Sequence, residues 1–198
     1  MSETTWWDDR LNDKKTFDFF VENLGGPDMP SRVAVRKWAH QHDVVTVLDA
    51  GCGPALDRWE GTGVSWRGID NSKLLVEHVG SPLVHHGSVE QLPFRNGDFE
   101  MVYSRHVWEH LPDFKTALKE ACRVASHYVA VVFFIPPASA HKTHKMDGAY
   151  YNKYSMLTIS DAFMDQWPHC RIDTLTLPAQ KYLPDGEFIM FVSKDGAK

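Results

Sequence analysis

The sequence predicts an α/β protein built on a doubly wound, mostly parallel sheet of about seven strands, closed by an antiparallel pair near the carboxyl terminus. Three observations lead there. Short apolar runs alternate with segments of helical period through the middle of the chain. One run, residues 128–135, is apolar throughout, as a central parallel strand covered on both faces must be. The last two runs, 171–175 and 188–192, are joined by a stretch holding Pro178, Pro184 and Gly186, which suits a hairpin connection.

Each element has its own reason. The first 42 residues carry Trp6, Trp7, Leu11, Phe17, Phe19, Phe20, Val21 and Leu24, an apolar density that needs burial and predicts a helical cap over the sheet edge or its carboxyl end. Residues 44–50 form the first strand and run into Gly51-Cys52-Gly53-Pro54, with a helix expected to begin near Pro54. Residues 65–70 form the second strand. Asn71-Ser72 then caps a helix over 73–79, because a serine oxygen accepts from the N–H groups left unpaired in a first turn. Residues 83–86 and 99–104 supply the third and fourth strands. Asp113 is the expected cap of the next helix, in which Phe114, Ala117, Leu118, Ala121, Cys122 and Ala125 follow the stripe of a helix packed on a sheet. After the apolar strand, the polar stretch from Pro136 to Ser155 reads as a loop, and a helix is expected near 160–166.

Composition narrows the function. Hydrophobic residues make up 43% and charged residues 24%, which fits a packed chain rather than a disordered one. A net charge of −5 argues against the broad basic face of a nucleic-acid binder. No apolar run approaches the roughly 20 residues that cross a bilayer, so no membrane partner is expected. The first residues lack the basic and apolar segments of a secretory signal, and a cytoplasmic location is the expectation. Cys52, Cys122 and Cys170 are too few and too scattered for a disulfide framework or a structural zinc site. Nothing in the pattern speaks to oligomeric state.

The chemistry concentrates at the ends of the first two strands. Ligands of a doubly wound sheet bind at the carboxyl ends of its strands, near the point where strand order reverses. Gly51 and Gly53 lie there and permit positive φ and close approach of a ligand to the main chain. Asp70 follows Asp49 by 21 residues, close to the roughly 20-residue interval at which a carboxylate reaches the hydroxyls of a nucleoside ribose. The loop does not suit a dinucleotide pyrophosphate. Leu56 stands where the third glycine of G-x-G-x-x-G belongs, Pro54 removes an N–H donor, and Asp49 and Asp57 add negative charge. Ammonium and sulfonium charges fit better, and an NAD-dependent oxidoreductase is the disfavoured alternative.

These residues carry a family resemblance. Val47-Leu48-Asp49-Ala50-Gly51-Cys52-Gly53 resembles the first motif of class I S-adenosylmethionine-dependent methyltransferases, and Gly68-Ile69-Asp70-Asn71-Ser72 resembles their second. Gly87-Ser88-Val89-Glu90-Gln91-Leu92-Pro93-Phe94 is similar to their adenine-side loop. Asp98-Phe99-Glu100-Met101-Val102-Tyr103-Ser104, followed by Glu109-His110-Leu111, is similar to the fourth-strand motif, and Leu118-Lys119-Glu120-Ala121-Cys122-Arg123-Val124 to the helix before the fifth strand. Residues 47–136 together resemble the type 11 methyltransferase domain, which implies a Rossmann-like fold and S-adenosylmethionine as cofactor.

The resemblance also implies roles. Asp49 with the Gly51, Cys52 and Gly53 backbone would hold the methionine part of the cofactor, Asp70 with Asn71 the ribose side, and Ser88 with the Val89 N–H the adenine edge; Ser104 would lie beside the sulfonium. Two departures stand out. Many relatives have aspartate where Ser88 stands and glycine where Ala55 stands, and a helix start would tolerate the alanine.

On the acceptor side, His106 and His110 follow the fourth strand and are candidates for a general base. His106-Val107-Trp108-Glu109-His110 also has the H-x-x-E-H spacing of some zinc peptidases, but Pro112 cuts short the helix that such a site needs, and no metal is expected. The basic loop His141-Lys142-Thr143-His144-Lys145, with Tyr150, Tyr151 and Tyr154 after it, is the candidate substrate-binding segment, and Trp6 and Trp7 either anchor the cap or form a lid. At 198 residues one domain is expected: a cap over 1–42, a cofactor-binding core over 43–136 and a substrate-side loop, helix and strand pair over 137–198. The expected activity is methyl transfer to oxygen, nitrogen or carbon of a small molecule. The alternative is a non-catalytic cofactor-binding module or partner subunit.

Overall fold

The computed structural model describes residues 6–23, 26, 28–57, 59 and 61–197; Leu24 and residues 1–5 of the expected cap lie outside them. Three helices come first, α1 (Trp6–Leu11), α2 (Lys14–Asn23) and α3 (Pro30–Gln41). Pro30 opens α3, where its missing N–H would have had no helical partner in any case. There follow β1 (Thr46–Ala50), β2 (Ser65–Asp70), α4 (Lys73–Val79), β3 (Val84–His86), β4 (Phe99–Arg105) and a single 3-10 turn (Trp108–His110). The remainder is α5 (Lys115–Val124), β5 (Ala125–Phe133), β6 (Lys142–Met146), β7 (Ala149–Lys153), α6 (Met156–Gln166), β8 (Arg171–Leu177) and β9 (Glu187–Ser193).

Seven strands form one sheet in the order β3-β2-β1-β4-β5-β9-β8. The first five run parallel, and β9 lies antiparallel to both β5 and β8. This is the expected doubly wound, Rossmann-like sheet with its antiparallel pair. Its two faces are buried by alternate residues of the same strands. Leu48, Val102, Val129, Val131 and Met190 face α5 and α6, meeting Leu118, Ala121, Cys122, Ile159 and Phe163. Val47, Met101, Tyr128, Ala130, Val132 and Ile189 face the α3 side, meeting Val35, Ala39 and Trp59. Burial on both sides is why β5 is apolar along most of its length. No described helix is long and apolar enough to cross a membrane.

Several local expectations are corrected. No helix begins near Pro54: residues 51–57 form a chain of turns, because Gly51, Gly53 and Ala55 have φ of 84°, 52° and 53° and left-handed residues cannot continue a right-handed helix. Ala55 is therefore not at a tolerant helix start but in the left-handed region, buried to 1% exposure. Ala55→Gly is expected to stabilise the fold by about 1 kcal/mol, read as a melting temperature raised by roughly 2–4 °C; an unchanged or lower value would remove the strain argument.

The stretch 136–155 is not a plain loop. It holds the β6–β7 hairpin, whose β6 residues are all exposed and so carry no apolar alternation by which to see it. Trp6 Nε1 donates to Asp147 O in the hairpin turn at 2.7 Å, and buried Asn152 donates through Nδ2 to Leu111 O at 2.7 Å. Finally, α6 begins at Met156 rather than near Ser160, and β5 is shifted towards the amino terminus. Ser72 caps α4 through Leu75 N–H at 3.3 Å as expected, but the cap position of α5 is Phe114 without a side-chain cap, and Asp113, one residue earlier, accepts only from Lys115 N–H at 3.1 Å.

Candidate active site

The order of strands reverses between β1 and β4, and the crevice that results at their carboxyl ends is where the motif residues meet. Gly51 N–H and Cys52 N–H donate to Ile69 O at 2.8 and 3.1 Å, tying the turn after β1 to β2. A Cβ at Gly51 would collide with the Val107 side chain, whereas one at Gly53 would meet nothing within 4 Å. The loop is thus pressed from one side and open on the other. Asp70, at the end of β2, accepts from Gly53 N–H at 2.7 Å on Oδ2 and from Ser72 N–H at 2.8 Å on Oδ1. Burial raises its pKa, against the pull of those two bonds. Each carboxylate oxygen retains a further lone pair.

The other cofactor candidates are placed as follows. Asn71 O accepts from His86 Nε2 at 3.1 Å. Ser88 Oγ accepts from Glu90 N–H at 3.1 Å, and Val89 is buried. Ser104 Oγ donates to Ala50 O at 2.9 Å, so this hydroxyl bridges β4 to β1. Cys52 is buried against Gly68.

Three buried carboxylates, Asp49, Asp57 and Asp70, test whether a cation fits here. Asp57 has counter-charge, with Arg32 Nε at 2.9 Å and the Tyr103 hydroxyl donating at 3.2 Å. Asp49 has no such direct partner: no hydrogen bond from the described residues engages it, and burial, then the neighbouring Asp57, push its pKa well above the usual carboxylate range against the weaker pull of Arg32 and Arg105. An ammonium group beside Asp49 would supply what the site lacks. The residues fit an amino-acid cation next to a ribose.

The candidate acceptor side is built on the 3-10 turn. His110 Nδ1–H donates to Tyr150 O at 2.8 Å, which leaves the neutral ring its lone pair on Nε2. Burial lowers its pKa below the ordinary value. Trp7, Phe134 and Tyr151 surround it, with ring centroids at 5.2, 5.3 and 5.2 Å. Tyr150 lends its carbonyl, and Lys145 Nζ lies 5.0 Å over its ring. His144 is exposed on β6, directly opposite Tyr151. Tyr154 stands apart from this group. It is buried at 2% exposure, donating to Trp108 O at 2.9 Å and accepting from Asn152 Nδ2 at 3.1 Å, so a substrate-facing role does not fit it.

His106 is not brought to the same work as His110. Its φ is 59°, and its Nε2–H donates to Glu187 Oε1 at 2.8 Å. Burial and the Arg105 charge lower its pKa to about 4, so the ring is neutral and its Nε2 is committed. The H-x-x-E-H residues also fail to converge: Glu109 Oε1 accepts from Phe134 N–H at 2.7 Å, while the two histidines are fixed by different partners.

Glu187 and Asp8, which sequence reasoning missed, and Glu109, which it saw only as a motif residue, hold this region together. Glu187, fully buried at the start of β9, accepts from Ser31 Oγ at 2.8 Å, Arg105 at 2.9 Å and His106 at 2.8 Å, while Gln180 Nε2 reaches its other oxygen at 3.1 Å. Asp8 of α1 accepts from Ser72 Oγ at 2.7 Å and Leu74 N–H at 3.2 Å, which pins the cap to the first turn of α4 beside Asp70. Glu109 is fully buried, and burial raises its pKa to about 8 against its backbone hydrogen bonds.

Glu109 has a consequence for pH. It is neutral in the fold up to about pH 8 but ionises near the ordinary 4.5 when unfolded. The folded state therefore binds the extra proton across that window, and this contribution falls as pH rises, by up to about 1.4 kcal/mol per unit. Glu109→Gln is expected to flatten the decline in melting temperature between pH 6 and pH 8; parallel curves for the two proteins would show the carboxyl to be charged in the fold.

Comparison with known proteins agrees with this geometry. Residues 48–133 match the family described as methyltransferase domain. Malonyl-[acyl-carrier protein] O-methyltransferase of Erwinia billingiae is 30% identical over 110 residues, 52% of this chain and 43% of the relative. The protein of the same name from Buchnera aphidicola is 28% identical over 127 residues, 59% and 51% of the two chains. The chain thus spans about half the length of the curated relatives it matches. Among solved structures, magnesium protoporphyrin IX methyltransferase from Synechocystis PCC 6803 with bound S-adenosylmethionine superposes with a TM-score of 0.73 at 16% identity, over 96% of this chain and 95% of that one, a likeness of fold. The matched segment holds Asp49, Gly51, Gly53, Asp70, Ser88 and Ser104, and in it the chain is similar to the methyltransferase domain family.

Proposed function

We propose that the chain transfers a methyl group from S-adenosylmethionine to an oxygen, nitrogen or carbon of a small-molecule acceptor. The observation that carries this is a buried carboxylate, Asp49, that no hydrogen bond from the described residues engages, close to Asp70 at the end of β2; His110, with Nδ1–H held by Tyr150 O, is the candidate base. When bound, the cofactor supplies a methyl group already activated on a sulfonium. The chain's own residues then have five tasks. Asp49 with the Gly51, Cys52 and Gly53 backbone holds the amino-acid end. Asp70 and the Asn71 segment hold the ribose, and Ser88 with Val89 N–H holds the adenine edge. The rings of Trp7, Phe134 and Tyr151 exclude water around His110. His110 Nε2 takes the proton that a hydroxyl or amine acceptor gives up, with Tyr150 O fixing the tautomer.

The reading treats residues 1–42, 43–136 and 137–198 as cap, core and acceptor side of one domain. A cytoplasmic location accords with the three free cysteines, Cys52, Cys122 and Cys170.

The test is methyl transfer from labelled S-adenosylmethionine to a panel of small-molecule acceptors and extracts, with calorimetry of S-adenosylhomocysteine alongside. Turnover is expected, and His110→Asn is expected to lower kcat about a hundredfold with cofactor affinity unchanged. Tight cofactor binding without transfer to any acceptor would favour the non-catalytic module instead.

A further inference from the structure

The β6–β7 hairpin carries a charge arrangement that fold stability does not explain. In its register Lys142 lies directly opposite Lys153, and His144 directly opposite Tyr151. Directly opposed residues of an antiparallel pair share a face, so Lys142, His144, Tyr151 and Lys153 all project from one side. Like charges in opposed positions weaken a hairpin. The described ion pairs all lie elsewhere, and the hairpin's single carboxylate, Asp147, sits in the turn at its far end. This concentration of positive charge occurs in a chain whose net charge is −5.

Its position ties it to the active site. The Tyr151 ring is 5.2 Å from His110, on the face that carries the lysine pair. The pair is two residues further along, roughly 7 Å at strand spacing. The hairpin is fixed against the body by Asn152 to Leu111 O and by Trp6 to Asp147 O, so that spacing is held.

We infer that the hairpin face bearing Lys142, His144 and Lys153 recognises an anionic group of the methyl acceptor, a carboxylate or a phosphate, held roughly 7 Å along the strands from Tyr151. The lysine pair gains a counter-charge only when the acceptor is present. The acceptor is then a small acid whose charged group is separate from the atom that receives the methyl group. This rests on the methyltransferase reading of the same crevice.

The test uses calorimetry on the full chain saturated with S-adenosylhomocysteine, with glutarate and phenyl phosphate as anionic probes and glutaramide as the neutral control. At least one anionic probe is expected to bind, with affinity falling as salt rises. Binding of glutarate identifies a carboxylate site, and binding of phenyl phosphate alone a phosphate site. Lys142→Ala and Lys153→Ala are each expected to weaken the probe about tenfold and leave S-adenosylhomocysteine affinity unchanged. Lys153→Glu is expected to abolish probe binding while raising the melting temperature by about 1–3 °C, because it turns a repulsive pair into an attractive one.

The inference is overturned if neither anion binds, if glutaramide binds equally well, or if the lysine variants bind the probes as the unaltered chain does. Failure of S-adenosylhomocysteine itself to bind folded protein overturns the methyltransferase reading and this inference with it. Cofactor binding without anion binding overturns the inference alone.

Discussion

Asp70→Ala is expected to weaken binding of S-adenosylhomocysteine by roughly 100- to 10,000-fold. The magnitude follows from two charge-assisted hydrogen bonds from ribose hydroxyls, each contributing about 1.5–3 kcal/mol. The substitution has a second effect. Gly53 N–H and Ser72 N–H lose the oxygens they donate to, so the glycine turn and the first turn of α4 lose their shared anchor. Stability should fall by about 1–3 kcal/mol in denaturant titration. Asp70→Asn separates the two effects, since it keeps the shape and one acceptor oxygen but sets an amide N–H₂ against a backbone donor. An alanine variant that binds within threefold of the unaltered chain would remove Asp70 from the cofactor site.

Glu187→Ala is expected to cost about 3–5 kcal/mol, the range for breaking one side of a buried ion pair, and to lower the melting temperature by about 10 °C or more. Burial alone would raise the Glu187 pKa, but the His106 hydrogen bond and the Arg105 charge outweigh it and hold it at about 2. Removing the carboxylate leaves the Arg105 guanidinium, which is 7% exposed, as a buried charge without its ion-pair partner at 2.9 Å. Ser31, His106 and Gln180 lose an acceptor at the same time.

The pH dependence has a definite sign. Glu187 stabilises the fold fully above its ordinary 4.5, and that contribution is lost as pH falls towards about 2. His106 is neutral in the fold down to about 4 but protonates near 6.5 when unfolded, so its contribution also declines as pH falls from 6.5 towards 4. Acid therefore loosens the Glu187 cluster in two stages, and Glu187→Gln should lack the lower one. An alanine variant melting within 2 °C of the unaltered chain would show that the cluster contributes no net stability.

What could be read from the chain depended on how local its cause was. Six of the seven sheet strands are legible because each buries apolar residues on one or both faces, and β8, largely exposed, is legible through the hairpin signals that join it to β9. The α5 stripe from Phe114 to Cys122 is legible because one helix face meets the sheet. Asp49, Gly51, Gly53 and Asp70 were legible because a turn and two strand ends bring them together at fixed short spacing. The β6–β7 hairpin was not, since Lys142 to Met146 bury nothing. The helix expected at Pro54 failed because Ala55, an ordinary helix former, takes a left-handed conformation that only its surroundings impose. The Glu187 cluster was out of reach for a different reason: Ser31, Arg105, His106 and Gln180 meet only after the whole sheet has formed. The signal available was a lone carboxylate at the head of the apolar run 187–193. Asp8 was hidden in the same way, since it caps a helix 64 residues away from it.

The sheet ends in β3 on one side and β8 on the other, and neither edge is a good template for adding a strand. β3 offers only the three residues Val84–His86. β8 is seven residues long, but it is largely exposed and carries Arg171, Asp173, Thr174 and Thr176, with Arg171 and Asp173 paired at 2.8 Å. Short and charged edges resist the backbone pairing that leads to aggregation. The edges of this open sheet thus disfavour strand addition without a barrel's closure, and the apolar strand β5 stays shielded between β4 and β9.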